Sequence, residues 1–217
     1  MLFAEQITVR YDRHGPAAVQ GLSVTVPRGA AVGLAGPSGC GKSTLARVLG
    51  LVLTPQHGTV HIDGAEVTAW RYRAPRPLRA KIGLIFQQPR LAVDPRLRLS
   101  DLIAEPLRAT KRGDEAAARV AALTEQVELT AELLDRRPHE VSDGQLQRAC
   151  LARALIGEAR YLVCDEMTSM LDASTQARLV NVVEDYRHRT GAGILAISHD
   201  ETLLTHWCDH ILRPWTR

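Results

Sequence analysis

The chain has 217 residues, 45% of them apolar and only 4% aromatic, with a net charge of +3. This length allows one domain, or one domain with a small inserted lobe, and its core must be built from Leu, Val, Ile and Ala. No run of like charge is long enough for a nucleic-acid arm, no apolar run nears the ~20 residues of a membrane span, and the first residues lack a signal-peptide pattern. Cys40, Cys150, Cys164 and Cys208 form no C-x-x-C pair and have no zinc spacing with a histidine, as expected of reduced thiols in a cytosolic protein.

The opening reads as strands. Phe3 to Tyr11 alternates in part, Ser23 to Val26 follows a turn, and Ala30 to Ala35 is an apolar run suited to a buried strand. The stretch Gly36 to Thr44 comes next, then the helical spacing of Leu45, Val48, Leu49 and Val52. Gly58 to Ile62 and Lys81 to Phe86 are expected strands, with a Pro-rich surface loop at Arg73 to Pro77. A modest basic excess from Arg71 to Arg98 suits a solvated face, or a surface near anionic lipid or a partner. From about residue 100 to 159 the chain turns rich in Ala, Leu, Glu and Arg, with Asp114 to Val127 the clearest helix, and reads as an inserted helical lobe. Strands return at Tyr161 to Cys164 and Ile194 to Ile197, around a helix from Ala173 to Arg189. Alternation of strand and helix on both sides of the lobe predicts an α/β core with a mostly parallel sheet.

Two motifs carry chemistry by themselves. Gly36-Pro37-Ser38-Gly39-Cys40-Gly41-Lys42-Ser43 fits G-x-x-x-x-G-K-[ST], the pattern of a phosphate-binding loop. Glycines let the backbone N–H groups curl toward phosphate oxygens, and the following helix adds its N-terminal dipole. Lys42 reaches the β- and γ-phosphates, Ser43 offers a hydroxyl to Mg2+, and Thr44 a hydrogen bond near the α-phosphate. The strand Tyr161 to Cys164 ends in Asp165 and Glu166. Carboxylates at that end of a parallel strand face the ligand crevice. There Asp165 can hold Mg2+ through water and Glu166 can orient or deprotonate an attacking water.

With these in order, nearly the whole chain resembles the ATP-binding cassette (ABC) family. Tyr11 resembles the aromatic that stacks on adenine. Gln87, in Phe86-Gln87-Gln88-Pro89, is similar to the Q-loop glutamine. Ser142-Asp143-Gly144-Gln145 is similar to the signature sequence, Asp172 in Ser169-Met170-Leu171-Asp172 to the D-loop, and His199 to the switch histidine. Each is weak alone: Ser142-Asp143-Gly144 reads equally as a helix N-cap, Tyr11 as a turn residue, His199 as a surface residue. Their order and spacing make them specific.

The resemblance implies a P-loop NTPase core of ABC ATPase type over residues 1–217, with an N-terminal antiparallel β subdomain and the α-helical lobe at about 100–159. It implies catalysis by Glu166, His199 and Gln87, ATP held by Tyr11 and Gly36 to Thr44, and Mg2+ held through Ser43, Gln87 and Asp165. Ser142, Asp143, Gly144 and Gln145 would complete an ATP site on a second, facing cassette. The expected partners are that second cassette, a transmembrane permease and, through it, an extracytoplasmic substrate-binding protein, with no nucleic acid. The expected place is the cytoplasmic face of the membrane. Phe86-Gln87-Gln88-Pro89 through Asp94-Pro95-Arg96, then Ile103 to Leu107, resembles the oligopeptide, dipeptide and nickel importer branch. An exporter would share the same motifs; non-transport members carry tandem cassettes or long coiled-coil insertions that are absent from these residues.

Two positions depart from the family. Met167 stands where proline is usual, which is expected to alter a loop only. Asp143 stands where glycine is usual. A carboxylate ~5 Å from a facing triphosphate is repelled by roughly 3 kcal/mol at an effective dielectric near 20. Unless Asp143 turns toward a basic neighbour, this predicts a weak site in a homodimer and pairing with a different cassette.

Overall fold

The computed structural model describes residues 1–12, 15–168 and 171–215. Strands Leu2–Val9 (β1), Val19–Val26 (β2), His57–Ile62 (β4) and Ala65–Glu66 (β5) form an antiparallel sheet in the order β2-β1-β4-β5. Strands Ala31–Ala35 (β3), Ile82–Ile85 (β6), Tyr161–Asp165 (β7), Gly193–Ser198 (β8) and His210–Leu212 (β9) form a parallel sheet in the order β6-β7-β8-β3-β9. Every residue of β3, β7 and β8 is buried, because a parallel sheet is covered on both faces.

What covers each face follows from the apolar spacing. On one side Lys42–Leu49 (α1) and the inner face of the antiparallel sheet close a core through Leu45, Val48, Leu49, Ile7, Val26 and Ile62. On the other, Leu99–Ala109 (α3), Ala116–Gln126 (α4), Ala131–Leu134 (α5) and Asp143–Ile156 (α6) form the helical lobe, which shares a second core with Ala173–Thr190 (α7) and Glu201–Trp207 (α8).

Several local expectations are corrected. β2 starts at Val19 rather than Ser23; Gly21, at φ 61°, interrupts the alternation that would have announced it. The Pro-rich stretch at Arg73 to Pro77 is not plain loop: a 3-10 turn at Arg71–Arg73 leads into the short helix Arg76–Arg79 (α2), with proline in its first turn, where a missing N–H costs nothing. The helix expected from Asp114 starts at Ala116, after a 3-10 turn at Gly113–Glu115. Met167 is 3% exposed and sits in the core, so the departure from proline anchors its turn rather than altering a loop only.

Candidate nucleotide site

Four parallel strands deliver the chemistry to one edge of the sheet. The glycine-rich loop leaves the C-terminal end of β3, Gln87 follows β6, Asp165 and Glu166 end β7, and His199 follows β8. This is the edge at which open α/β sheets bind ligands.

The loop needs two of its glycines for steric reasons. Gly41 has φ 104°, and a Cβ there would sit 2.0 Å from the Ala18 carbonyl oxygen. A Cβ on Gly36 would meet the Trp215 ring at 2.6 Å. Lys42 is 5% exposed, and its Nζ donates to the carbonyls of Gly36 at 2.6 Å and Pro37 at 2.9 Å. The ammonium therefore lies inside the curl of Gly36 to Gly41. Tyr11 arrives from the end of β1, its hydroxyl 3.1 Å from Thr44 Oγ1, with Arg47 Nη1 donating to it at 3.4 Å; its side chain is otherwise exposed. Cys40 is partly exposed in the same loop.

Ser43 Oγ donates to Asp165 Oδ1 at 3.1 Å. Burial pushes the Asp165 carboxyl up, the neighbouring Glu166 charge adds to this, and the Ser43 hydroxyl opposes it. No group of three or more His, Cys, Asp or Glu placed to hold a metal occurs among the described residues. The paired oxygens of Ser43 and Asp165 nonetheless fit Mg2+, a hard cation that takes few protein ligands and fills its shell with phosphate oxygens and water.

Glu166 is the meeting point. Gln87 Nε2 donates to its Oε2 at 2.7 Å, and His199 Nδ1 lies 3.3 Å from its Oε1. Its backbone N–H donates to Ile197 O at 2.9 Å, while its φ of 48° is left-handed. For a residue other than glycine that conformation costs on the order of 1 kcal/mol and persists where the surroundings hold it. Here the β8 backbone and the two side chains impose it.

The signature residues stand apart, on the helical lobe. Ser142 is the N-cap of α6: Gln145 N–H donates to Ser142 Oγ at 3.2 Å, and Ser142 N–H to Gln145 Oε1 at 2.9 Å. No hydrogen bond among the described residues joins Ser142 to Gln145 with Gly36 to Thr44. A Cβ on Gly144 would meet Leu171 at 3.1 Å, which brings the α6 start near the D-loop stretch. Ser169 and Met170 lie outside the described residues. Asp172 caps α7, accepting from the N–H groups of Ser174 and Thr175 and from both hydroxyls. These bonds hold its carboxyl well below the ordinary range.

Asp143 is not unpaired. Arg90 Nε donates to its Oδ1 at 2.6 Å. The repulsion expected at this position presupposed a carboxylate without a basic neighbour, and that basis is absent. Sequence reading missed the role of Arg90, which lies within the Phe86 to Arg96 stretch but far from Asp143 in the chain. It also missed Trp215, whose ring lies against Gly36.

The ABC transporter family profile matches residues 19–169. A nickel import ATP-binding protein of Rhodospirillum rubrum is 40% identical over 192 residues, 88% of this chain and 69% of that protein. An oligopeptide transport ATP-binding protein of Escherichia coli is 39% identical over 199 residues, 90% of this chain and 59% of that protein. The chain thus spans about three-fifths to two-thirds of the length of these relatives. Among solved structures, a dimeric ATP-binding cassette in a post-hydrolysis state with ADP and phosphate superposes with a TM-score of 0.86 at 24% identity, over 98% of this chain and 94% of that one, which shows the shared fold.

Proposed function

The chain belongs to the ABC transporter family, and we propose on that premise that it hydrolyses Mg-ATP at the membrane's cytoplasmic face to drive import of a peptide, nickel or a metal–chelator complex. The observation that carries the reading is the convergence of Gln87, His199 and Glu166 from three strand ends beside the Ser43–Asp165 pair.

In this reading the amides of Gly36 to Gly41 and the Lys42 ammonium hold the β- and γ-phosphates, leaving their contacts with the loop's own carbonyls. Tyr11 stacks on adenine and Thr44 bonds the α-phosphate. Ser43 and Asp165 hold Mg2+, assisted by Gln87; the ion supplies neutralisation of charge on the phosphates. Glu166 orients the attacking water and takes its proton, with Gln87 and His199 fixing its two carboxylate oxygens. His199 is 58% exposed, well placed to meet the γ-phosphate once a second cassette closes over it. That second subunit contributes the α6 start, where a capped helix N-terminus with free donors suits an anion.

A permease is the other partner. A cleft of about 380 Å3 between the parallel sheet and the helical lobe is lined by Val52, Leu84, Phe86 and Pro106, with Arg76 and Arg153. Phe86 directly precedes Gln87, so an occupant of the cleft would press on the segment that reaches Glu166. An extracytoplasmic binding protein would deliver the cargo through that permease. No helix among the described residues is long and apolar enough to cross a membrane.

Glu166→Gln is the test. It should bind ATP with the parent's affinity while turnover falls about 100-fold or more, because an amide cannot accept the proton. Turnover at the parental rate would remove Glu166 from the reaction and the reading with it.

A further inference from the structure

One side chain ties the segment after Gln87 to the start of α6. Arg90, in the 3-10 turn Pro89–Leu91, commits three guanidinium nitrogens there: Nε to Asp143 Oδ1 at 2.6 Å, Nη1 to Pro138 O at 2.6 Å and Nη2 to Val141 O at 2.9 Å. The planar fork fixes direction as well as distance, which a lysine could not. A second tie lies on the other flank of Gln87. Gln147, on α6 and 5% exposed, donates its Nε2 to Phe86 O at 3.2 Å. Gln87 is therefore bracketed by two contacts to the helix whose first turn carries Ser142 to Gln145, while its own amide rests on Glu166.

The Arg90 and Asp143 side chains are 44% and 48% exposed. An ion pair that open adds little to folding stability, so its effect must be sought in orientation and local charge. At the first turn of α6 a lone carboxylate would be favoured by the helix dipole but would present a full negative charge outward. Paired with Arg90, the local charge sums to zero, and the carboxylate is drawn toward the Gln87 segment.

We propose that Arg90 is a positioning residue for the signature end of α6: it neutralises Asp143, aims that carboxylate away from the nucleotide of a facing cassette, and makes Ser142 to Gln145 move together with Gln87. This rests on the reading of the α6 start as the surface that completes a nucleotide site on a second subunit. It means that aspartate in place of glycine is compatible with a working signature because of its arginine.

The test uses the full chain in the Glu166→Gln background, which on the proposed function binds ATP without turning it over. ATP-driven self-association is measured by sedimentation velocity, and monomer ATP affinity by fluorescent-nucleotide titration, for the parent, Arg90→Ala, Asp143→Gly and the double variant. Monomer affinity should stay within about twofold across the set, since none of these residues touches the glycine-rich loop. Arg90→Ala should weaken association about tenfold, and less so at high salt, because the unmasked charge is screened. Asp143→Gly should stay within about threefold of the parent, and the double variant should recover most of the Arg90→Ala loss, showing non-additivity of a coupled pair. A double variant no better than Arg90→Ala, or four chains that associate alike, overturns the proposal. A parent that binds no ATP overturns the functional reading and the proposal with it.

Discussion

The four cysteines differ in surroundings, and their chemistry should differ accordingly. Cys164 is fully buried in β7, and burial pushes its thiol above the ordinary range; burial likewise pushes Cys150 up to about 11 and Cys208 up to about 12. Cys40 is partly exposed in the glycine-rich loop, beside Gly36. Iodoacetamide should therefore label Cys40 first in the native protein, since the thiolate is the reactive form and must be reached. Bound Mg-ATP should slow that labelling about fivefold or more by covering the loop. Peptide mass spectrometry reads the site and the rate; full alkylation at Cys40 with unchanged ATP affinity would place the phosphates elsewhere. Lys42, Ser43, Asp165 and Glu166 were legible as residues because each sits in a local pattern with its chemistry attached. Arg90 was not, because its meaning lies in a carboxylate on another element.

At the scale of elements, the start of α6 is a reciprocal cap, at the place where the proposed function puts a facing nucleotide. Ser142 and Gln145 satisfy each other's backbone N–H groups, so the hydroxyl expected to meet a facing nucleotide is also the helix cap. Ser142→Ala should cost about 1 kcal/mol in urea unfolding, while Ser142→Thr should recover most of it, since threonine caps nearly as well. An alanine variant as stable as the parent would show the cap to be idle. Buried strands β7 and β8 were legible as continuous apolar runs. The short elements α2, α8 and β9 were not: β9 is three residues long and exists because its backbone pairs with β3. α8 is capped by Asp200, which accepts from Leu203 N–H, and buries only Leu204 and Trp207.

Across the molecule, Asp63 joins the antiparallel sheet to the parallel one. It occupies the β4–β5 turn at φ 54°, followed by Gly64 at φ 83°, the pair of left-handed residues that a tight hairpin turn requires. Its carboxylate accepts from Tyr161 Oη at 2.5 Å, Arg160 at 2.8 Å, Lys81 at 3.1 Å and the Met1 ammonium at 3.3 Å. Burial alone would raise this carboxyl, but the hydrogen bonds outweigh it and hold the group well below the ordinary range. Asp63→Asn keeps the left-handed preference and removes the charge. It should cost about 2 kcal/mol at pH 7. A carboxyl depressed in the folded state stabilises fully above its unfolded value, about 3.9, and loses that contribution as pH falls through the folded value. The gap between parent and variant in chemical unfolding should thus be constant above about pH 4 and narrow below it. A gap that widens on acidification would show that Asp63 does not carry this charge in the fold.

The sequence by itself determined the glycine-rich loop between β3 and α1, the two carboxylates at the end of β7, the order of the other motifs and the α/β class. These depend on short-range spacing: glycines that free the backbone, apolar runs that bury it, carboxylates at a strand's end. Only the tertiary structure decided that Gln87 and His199 both meet Glu166, that Asp63 ties the two sheets together, and that Asp143 is neutralised by Arg90. Each of these is a contact between side chains on different strands, turns or helices. Its energy depends on distance through space, which local pattern in the chain does not encode.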